Sequence, residues 1–257
     1  MSIDNESIHQ KNRVYLCAPI NALVEGIYEQ TIAMTEIKKF GDFGLGTFND
    51  LDGEMMMLDG QIYQAASDGS VNLVDDSVQT PFSCVTFFNA MSYEETDTEL
   101  SYEGLQKWLT DMMPSPNLFY AFRIEGLFSM VKTRSVPKQL VYRPLVEVTK
   151  EQPVFEFPDV EGTCIGFYTP SFMSSVSVPG FHLHFLSDDR QKGGHILSCQ
   201  PRKVKTEIQF LYTLELSLPM SLDYLTWDFQ RNIEKDLDSA EKEKPAQNRR
   251  KSDLEQK

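Results

Sequence analysis

Gly180-Phe181-His182-Leu183-His184-Phe185, then Ser187-Asp188-Asp189-Arg190-Gln191-Lys192-Gly193-Gly194 and His195-Ile196-Leu197-Ser198-Cys199, is the stretch from which the fold is read. Phe181, Leu183 and Phe185 alternate with the two histidines, so a strand puts both imidazoles on one face and the bulky apolar residues on the other. The Asp- and Gly-rich segment has turn chemistry, and the chain returns from it as a second strand. If His195 pairs across from His184 it lies diagonal to His182, and cross-strand side chains on one face stand roughly 5 to 8 Å apart. Three ring nitrogens can then converge on one ion.

Three neutral imidazoles with an open position suit a catalytic zinc or another late first-row divalent ion, whereas a closed structural site would normally recruit thiolates as well. The plainer reading is a row of partly exposed strand histidines. It suits a lone His better than a His-x-His pair joined by a third His after a turn, in a chain with only four histidines. The fourth, His9, lies in a polar N-terminal stretch and reads as a solvated tail residue. Cys199 lies past the end of the hairpin and is not expected to be a ligand.

Composition bounds what such a site could serve. At 257 residues, 41% hydrophobic and 11% aromatic, the chain can bury one large core or two small ones. A formal net charge of −14 and a pI near 4.7 argue against a nucleic-acid or anionic-membrane surface, because phosphate contacts need clustered Lys and Arg. The basic residues of 242–257 alternate with acids and read as a solvated tail. Cys17, Cys84, Cys164 and Cys199 are scattered among apolar neighbours, as buried free thiols of a reducing compartment would be. The polar N-terminus leads into no apolar h-region and no run approaches membrane-spanning length, so the cytoplasm is the expected location.

Outward from the hairpin, helical spacing of Ile20, Leu23, Val24, Ile27 and Tyr28 predicts a helix after Pro19, and Thr35 to Phe40 a short second one that stops at Gly41. From Gly44 the texture changes to short apolar runs separated by Asp52-Gly53, Asp59-Gly60 and Asp68-Gly69, which indicates consecutive hairpins in an antiparallel or mixed sheet. Ser101 can cap a helix carrying Leu105, Trp108, Leu109 and Met112. Strands are expected at 119–124, 128–133, 154–157 and 164–168, a long alternating one from Thr206 to Leu218, and a final helix from Ser221 to Glu243.

Gly41-Asp42-Phe43-Gly44-Leu45-Gly46-Thr47-Phe48 invites two readings that fail on context. An Asp-Phe-Gly kinase motif would need an H-R-D catalytic loop and a strand lysine, and a dinucleotide loop would need G-x-G-x-x-G entering a helix. Glu54 leads into a Met-rich strand, where a carboxylate is either a surface turn acid or a functional one. Arg134 sits where a strand meets a proline-fixed turn, and its fork of donors could grip a carboxylate or form a surface salt bridge.

Taken in order, several stretches resemble the α-acetolactate decarboxylases. They are Gly41-Asp42-Phe43-Gly44-Leu45-Gly46-Thr47-Phe48-Asn49 with Leu51-Asp52-Gly53-Glu54, Thr80-Pro81-Phe82, Asn117-Leu118-Phe119, Arg134-Ser135-Val136-Pro137-Lys138-Gln139, Gln152-Pro153-Val154-Phe155, and the histidine hairpin. The resemblance runs from about Ala18 to about Glu241. It implies Zn²⁺ on His182, His184 and His195, with Thr47, Glu54 and Arg134 binding substrate. Arg134, Glu54 and a C-terminal glutamate, Glu241 or its near neighbour Glu243, would be the catalytic groups. The implied fold is α/β (α+β): two packed domains, a larger mixed-sheet domain and a smaller antiparallel-sheet domain carrying the metal hairpin, in a homodimer. The expected boundaries are 1–150 and 151–244, with 245–257 as a charged tail.

The implied reaction converts (S)-2-acetolactate into (R)-acetoin and CO₂ through a zinc-stabilised enediolate, with the metal acting as a Lewis acid and no thiamine, pyridoxal or biotin needed. An Arg is a poor acid at neutral pH, so a carboxylic acid or a water positioned by Arg134 is the easier proton donor. Three histidines could equally make a zinc hydroxide for hydration or hydrolysis, hold Fe²⁺ for dioxygen chemistry, or serve a metal-dependent binding protein without turnover.

Overall fold

The computed structural model describes residues 12–141, 143–150 and 152–230. With strands numbered in chain order, β1 (Arg13–Leu16), β2 (Phe43–Thr47), β3 (Glu54–Leu58), β4 (Gln61–Ala65), β5 (Val71–Leu73), β6 (Ser83–Thr86) and β12 (Thr213–Leu216) form a seven-stranded sheet in the order β12-β1-β6-β2-β3-β4-β5. It is mixed because β12 joins β1 in parallel while the other pairings are antiparallel. A five-stranded antiparallel sheet comprises β7 (Ser92–Thr96), β8 (Phe119–Arg134), β9 (Val154–Thr169), β10 (Gly180–Ser187) and β11 (Gly193–Leu211), in the order β10-β9-β8-β11-β7. Since β10 also pairs with β11, four of these strands close on themselves into a small ring.

Three apolar clusters follow from this arrangement. Met56 and Leu58 of β3 face the antiparallel sheet and meet Ile165, Phe167 and Leu186, joining the two sheets. Met55 and Met57 point the other way, into a layer with Met34 and Ile37 of helix α2 (Met34–Ile37). With both faces covered, β3 reads as a continuous Glu-Met-Met-Met-Leu run rather than an alternating one. Inside the ring, Tyr120, Phe122, Phe128, Leu183 and Phe185 pack beneath Leu105 and Leu109 of helix α3 (Tyr102–Met112). That helix begins as expected, with the Ser101 hydroxyl accepting the Gly104 amide at 3.1 Å.

Hairpin chemistry held as read: Asp59 and Gly60, both at positive φ (50° and 75°), make the two-residue β3–β4 turn whose twist suits flanking strands. Elsewhere the structure corrects the reading. Helix α1 spans only Ile20–Val24 because Gly26, at φ 91°, turns the chain away, although Ile27 and Tyr28 are still buried. The four strands expected at 119–133 and 154–168 are two continuous ones, β8 and β9. Gly126 lets β8 stay continuous: at φ 139° a Cβ there would come within 2.2 Å of the Lys203 carbonyl oxygen. The alternation from Thr206 to Leu218 belongs to two strands, since the chain leaves the antiparallel sheet at Tyr212, whose amide binds the Asn12 carbonyl, and enters the mixed sheet as β12. Tyr212 and Leu218 are exposed as a result.

The division expected at residue 150 is likewise not where the sheets part. Strands β7 and β8 precede that point yet lie in the antiparallel sheet, and β12 follows it yet completes the mixed one. Pairing partners far apart in sequence, rather than chain order, decide sheet membership. A short helix that periodicity did not reveal, α4 (Leu145–Val148), packs against α1. The expected final helix is cut short: α5 covers only Leu222–Thr226, because the chain turns extended at Trp227 and stays non-helical to Gln230, and the rest of the expected span, with Glu241, Glu243 and the tail, lies outside the described residues. Among the described residues no helix is long and apolar enough to cross a membrane.

Candidate metal and substrate site

The site forms where the ring of strands meets the mixed sheet. His184 on β10 pairs with His195 on β11, as the hairpin spacing predicts, and His195 in turn pairs with Arg134 at the end of β8. Three neighbouring strands thus carry His184, His195 and Arg134 in one row, with His182 two residues back along β10. Ring centroids of the three histidines stand 5.0, 5.0 and 5.3 Å apart. One ring nitrogen from each lies within 4.8 Å of the others, so the group could hold a metal ion.

The surroundings put these rings in their ligating form. His184 Nδ1 lies 2.8 Å from the Met55 carbonyl oxygen, which can only accept, so Nδ1 carries the hydrogen and Nε2 keeps its lone pair. That Nε2 is buried without a hydrogen bond, 3.6 Å from a Glu54 carboxylate oxygen. A buried lone pair aimed into a cluster of like atoms fits a metal ligand, and the carbonyl behind the ring fixes its orientation. Burial, then the Arg134 charge, pushes the pKa of His182 down to about 3. Burial, His182 and Arg134 hold that of His184 well below the usual range against the opposing effect of the Met55 carbonyl. Neutral imidazole is the form that binds a metal.

Glu54, 7% exposed at the head of β3, enters from the mixed sheet, where it pairs with Thr47 on β2. Thr47 lines the same cavity, but its hydroxyl donates to the Gly53 carbonyl at 2.7 Å and so ties the β2–β3 connection together. Arg134 is 3% exposed, and its Nη1 donates to the Gln152 side-chain oxygen at 2.9 Å. These polar groups line a cavity of about 430 Å³, counting its open mouth, together with an aliphatic wall of Ile20, Leu23, Leu51, Val136 and Leu145. Charged and aliphatic groups in one lining suit a small anionic organic molecule.

The structure therefore gathers His182, His184, His195, Glu54, Arg134 and Thr47 at one cavity. The aliphatic wall and the Gln152 contact were missed by sequence reasoning. Gln152-Pro153 was visible as a matching stretch without a role, whereas Leu51 and Leu145 look like any apolar residue until the sheets and α4 assemble.

Comparison with known proteins places the chain in a family. Residues 14–231 match the family model described as alpha-acetolactate decarboxylase. The alpha-acetolactate decarboxylase of Bacillus licheniformis is 39% identical over 222 residues, covering 86% of this chain and 88% of that protein. That of Methanosarcina mazei is 39% identical over 230 residues, covering 89% and 80%. The crystal structure of alpha-acetolactate decarboxylase from Bacillus subtilis strain 168 superposes with a TM-score of 0.88 at 37% identity, covering 90% of this chain and 100% of that one. With its fold and most of its length in common with these proteins, the chain belongs to the alpha-acetolactate decarboxylase family.

Proposed function

We propose that this chain converts (S)-2-acetolactate into (R)-acetoin and CO₂, with Zn²⁺ on His182, His184 and His195. The observation that carries the reading is the row His184–His195–Arg134 across three paired strands, which supports a guanidinium able to bind a carboxylate next to imidazoles able to hold a metal. Family membership supports the same reaction. When bound, zinc supplies Lewis-acid stabilisation of negative charge on substrate oxygens.

The chain's own residues do the rest. Arg134, withdrawn from water, grips the carboxylate through its fork of donors and orients the bond to be broken. Loss of CO₂ leaves an electron pair that the neighbouring ketone accepts as an enediolate, and a proton then returns to carbon on one face. Arg134 stays charged throughout. Glu54, at the head of β3, or a water positioned by Arg134 delivers the proton, and Glu241 is the second carboxylate proposed to act on the substrate. Thr47 contributes by holding the Gly53 turn in place beneath the substrate. Ile20, Leu23 and Leu145 exclude water from the carboxylate, which favours its loss as neutral CO₂. We further propose a homodimer resident in the cytoplasm, where four buried free thiols are at home.

The deciding assay measures acetoin and CO₂ from racemic acetolactate with purified protein, before and after chelation and zinc restoration. Zinc-restored formation of one acetoin enantiomer is expected. Full activity in metal-free protein, or no product from a folded, zinc-loaded sample, would return the site to hydrolytic, dioxygen or binding roles.

A further inference from the structure

The β2–β3 connection contains the least comfortable backbone near the site. Asp50 and Leu51 both adopt left-handed conformations, φ 62° and 56°, and Gly53 follows at φ 84°. A leucine rarely takes this geometry, and where it persists the surroundings over-determine it. Here they do. The Asp50 amide donates to the Tyr28 carbonyl at 3.0 Å, the Gln139 amide to the Asp50 carbonyl at 2.6 Å, and the Gly53 amide to the carbonyls of Leu51 at 2.8 Å and Val136 at 3.2 Å. Lys138 adds ion pairs to Asp50 at 3.2 Å and Asp52 at 3.6 Å. The turn is fastened to the segment that follows Arg134 and leads directly into Glu54.

What this costly turn achieves is to place Leu51, 1% exposed, in the lining of the cavity that also holds the three histidines, Glu54 and Arg134. Ile20, Leu23 and Leu145 line the same cavity from short helices with ordinary helical backbone. Leu51 cannot retreat without breaking the hydrogen bonds to Tyr28, Val136 and Gln139, and the same bonds tie it to Glu54 and to the segment after Arg134. A wall element that cannot move sets a size limit.

We propose that Leu51 limits the alkyl group borne by the carboxylate-bearing carbon of the substrate, and is therefore a specificity-determining residue. This rests on the decarboxylase reading above, in which that group is a methyl. The test compares kcat/KM for acetolactate and for its homologue with ethyl in place of methyl, in wild type, Leu51→Ala and Leu51→Gly. The alanine variant opens the space. Glycine opens it further and suits the left-handed backbone, so it supplies a folded sample if alanine does not. The ethyl-to-methyl ratio of kcat/KM is expected to rise about tenfold or more in these variants, the order of discrimination that one methylene commands in a packed apolar pocket. A general loss of folding or metal would lower both substrates together and leave the ratio where it was. A ratio within about twofold of wild type in folded, zinc-loaded variants would overturn the role of Leu51 while leaving the reaction intact. Wild-type protein that decarboxylates neither substrate would overturn the reaction and the Leu51 role with it.

Discussion

At the scale of single residues, the proposed reaction assigns the metal to the histidines and the substrate to Arg134 and Glu54, and this makes their losses distinguishable. Truncating His184 would remove a proposed ligand whose other ring nitrogen is fixed by the Met55 carbonyl, so His184→Ala is expected to lose both zinc and activity. Arg134→Ala should keep the zinc and lose turnover by at least about a hundredfold, read by metal analysis beside steady-state kinetics. Gln152 accepts from Arg134 without adding a charge, so it aims the guanidinium and leaves its attraction for an anion intact. Gln152→Ala is expected to lower kcat/KM about tenfold, close to 1.4 kcal/mol, with unchanged zinc content, and unchanged kinetics would refute this. The histidines also make an acid-sensitive fold. Burial sets His182 at about 3 and His184 well below its usual range, whereas an unfolded histidine titrates near 6.5. Between those values the unfolded chain takes up protons that the folded chain refuses. Metal-free protein should therefore be most stable above about pH 6.5 and lose about 1.4 kcal/mol per pH unit on account of His182 as the pH falls toward 3, with His184 acting in the same direction. Thermal melts of metal-free protein at about pH 7, 6 and 5 check the sign, and a midpoint that does not fall would contradict it.

At the scale of elements, the β10–β11 hairpin and the end of β8 act as one unit, because the strand pairing that sets His184 opposite His195 continues to Arg134. Gly194 makes that approach possible. It sits at φ 131°, and a Cβ on it would lie 2.6 Å from the Arg134 carbonyl oxygen. Gly194→Ala must push β8 and β11 apart at the very pairing that places His195, so weaker zinc binding, lower activity and a lower melting temperature are expected together. A variant that melts early yet titrates zinc like wild type would show that the hairpin positions its ligands without β8. Much of this element was legible beforehand. The alternation of His182 and His184 with Phe181, Leu183 and Phe185, and the turn residues up to Gly194, fix strand, face and reversal locally. That β8 would be the strand beside His195 was not legible, since the pairing spans some sixty residues and no local pattern encodes it.

At the scale of the whole molecule, the site exists because two sheets share one core. Met56 and Leu58 bind the mixed sheet to the ring, and this brings Glu54 to 3.6 Å from His184 and the Met55 carbonyl to its other nitrogen. Metal binding should therefore stabilise the fold as a unit. At a hundredfold excess over its Kd, zinc is expected to add about 2.7 kcal/mol, a rise in Tm of about 5 to 10 °C that chelation reverses. An unchanged melt on chelation would mean that the histidines do not hold the ion in the native state.

By itself the sequence determined the features that depend on residues close together in the chain: the histidine hairpin, the Asp-Gly turns, the capped helix behind Ser101 and the family motifs around Glu54 and Arg134. Side-chain alternation and turn propensity act over a few residues, so they can be read without the fold. Only the tertiary structure decided which sheet each strand joins, the continuity of β8 and β9, the exit of the chain at Tyr212, and the aliphatic wall built from Leu51, α1 and α4. Those depend on burial between segments distant in sequence, where an isolated Leu or Gln carries no mark of the partner it will meet.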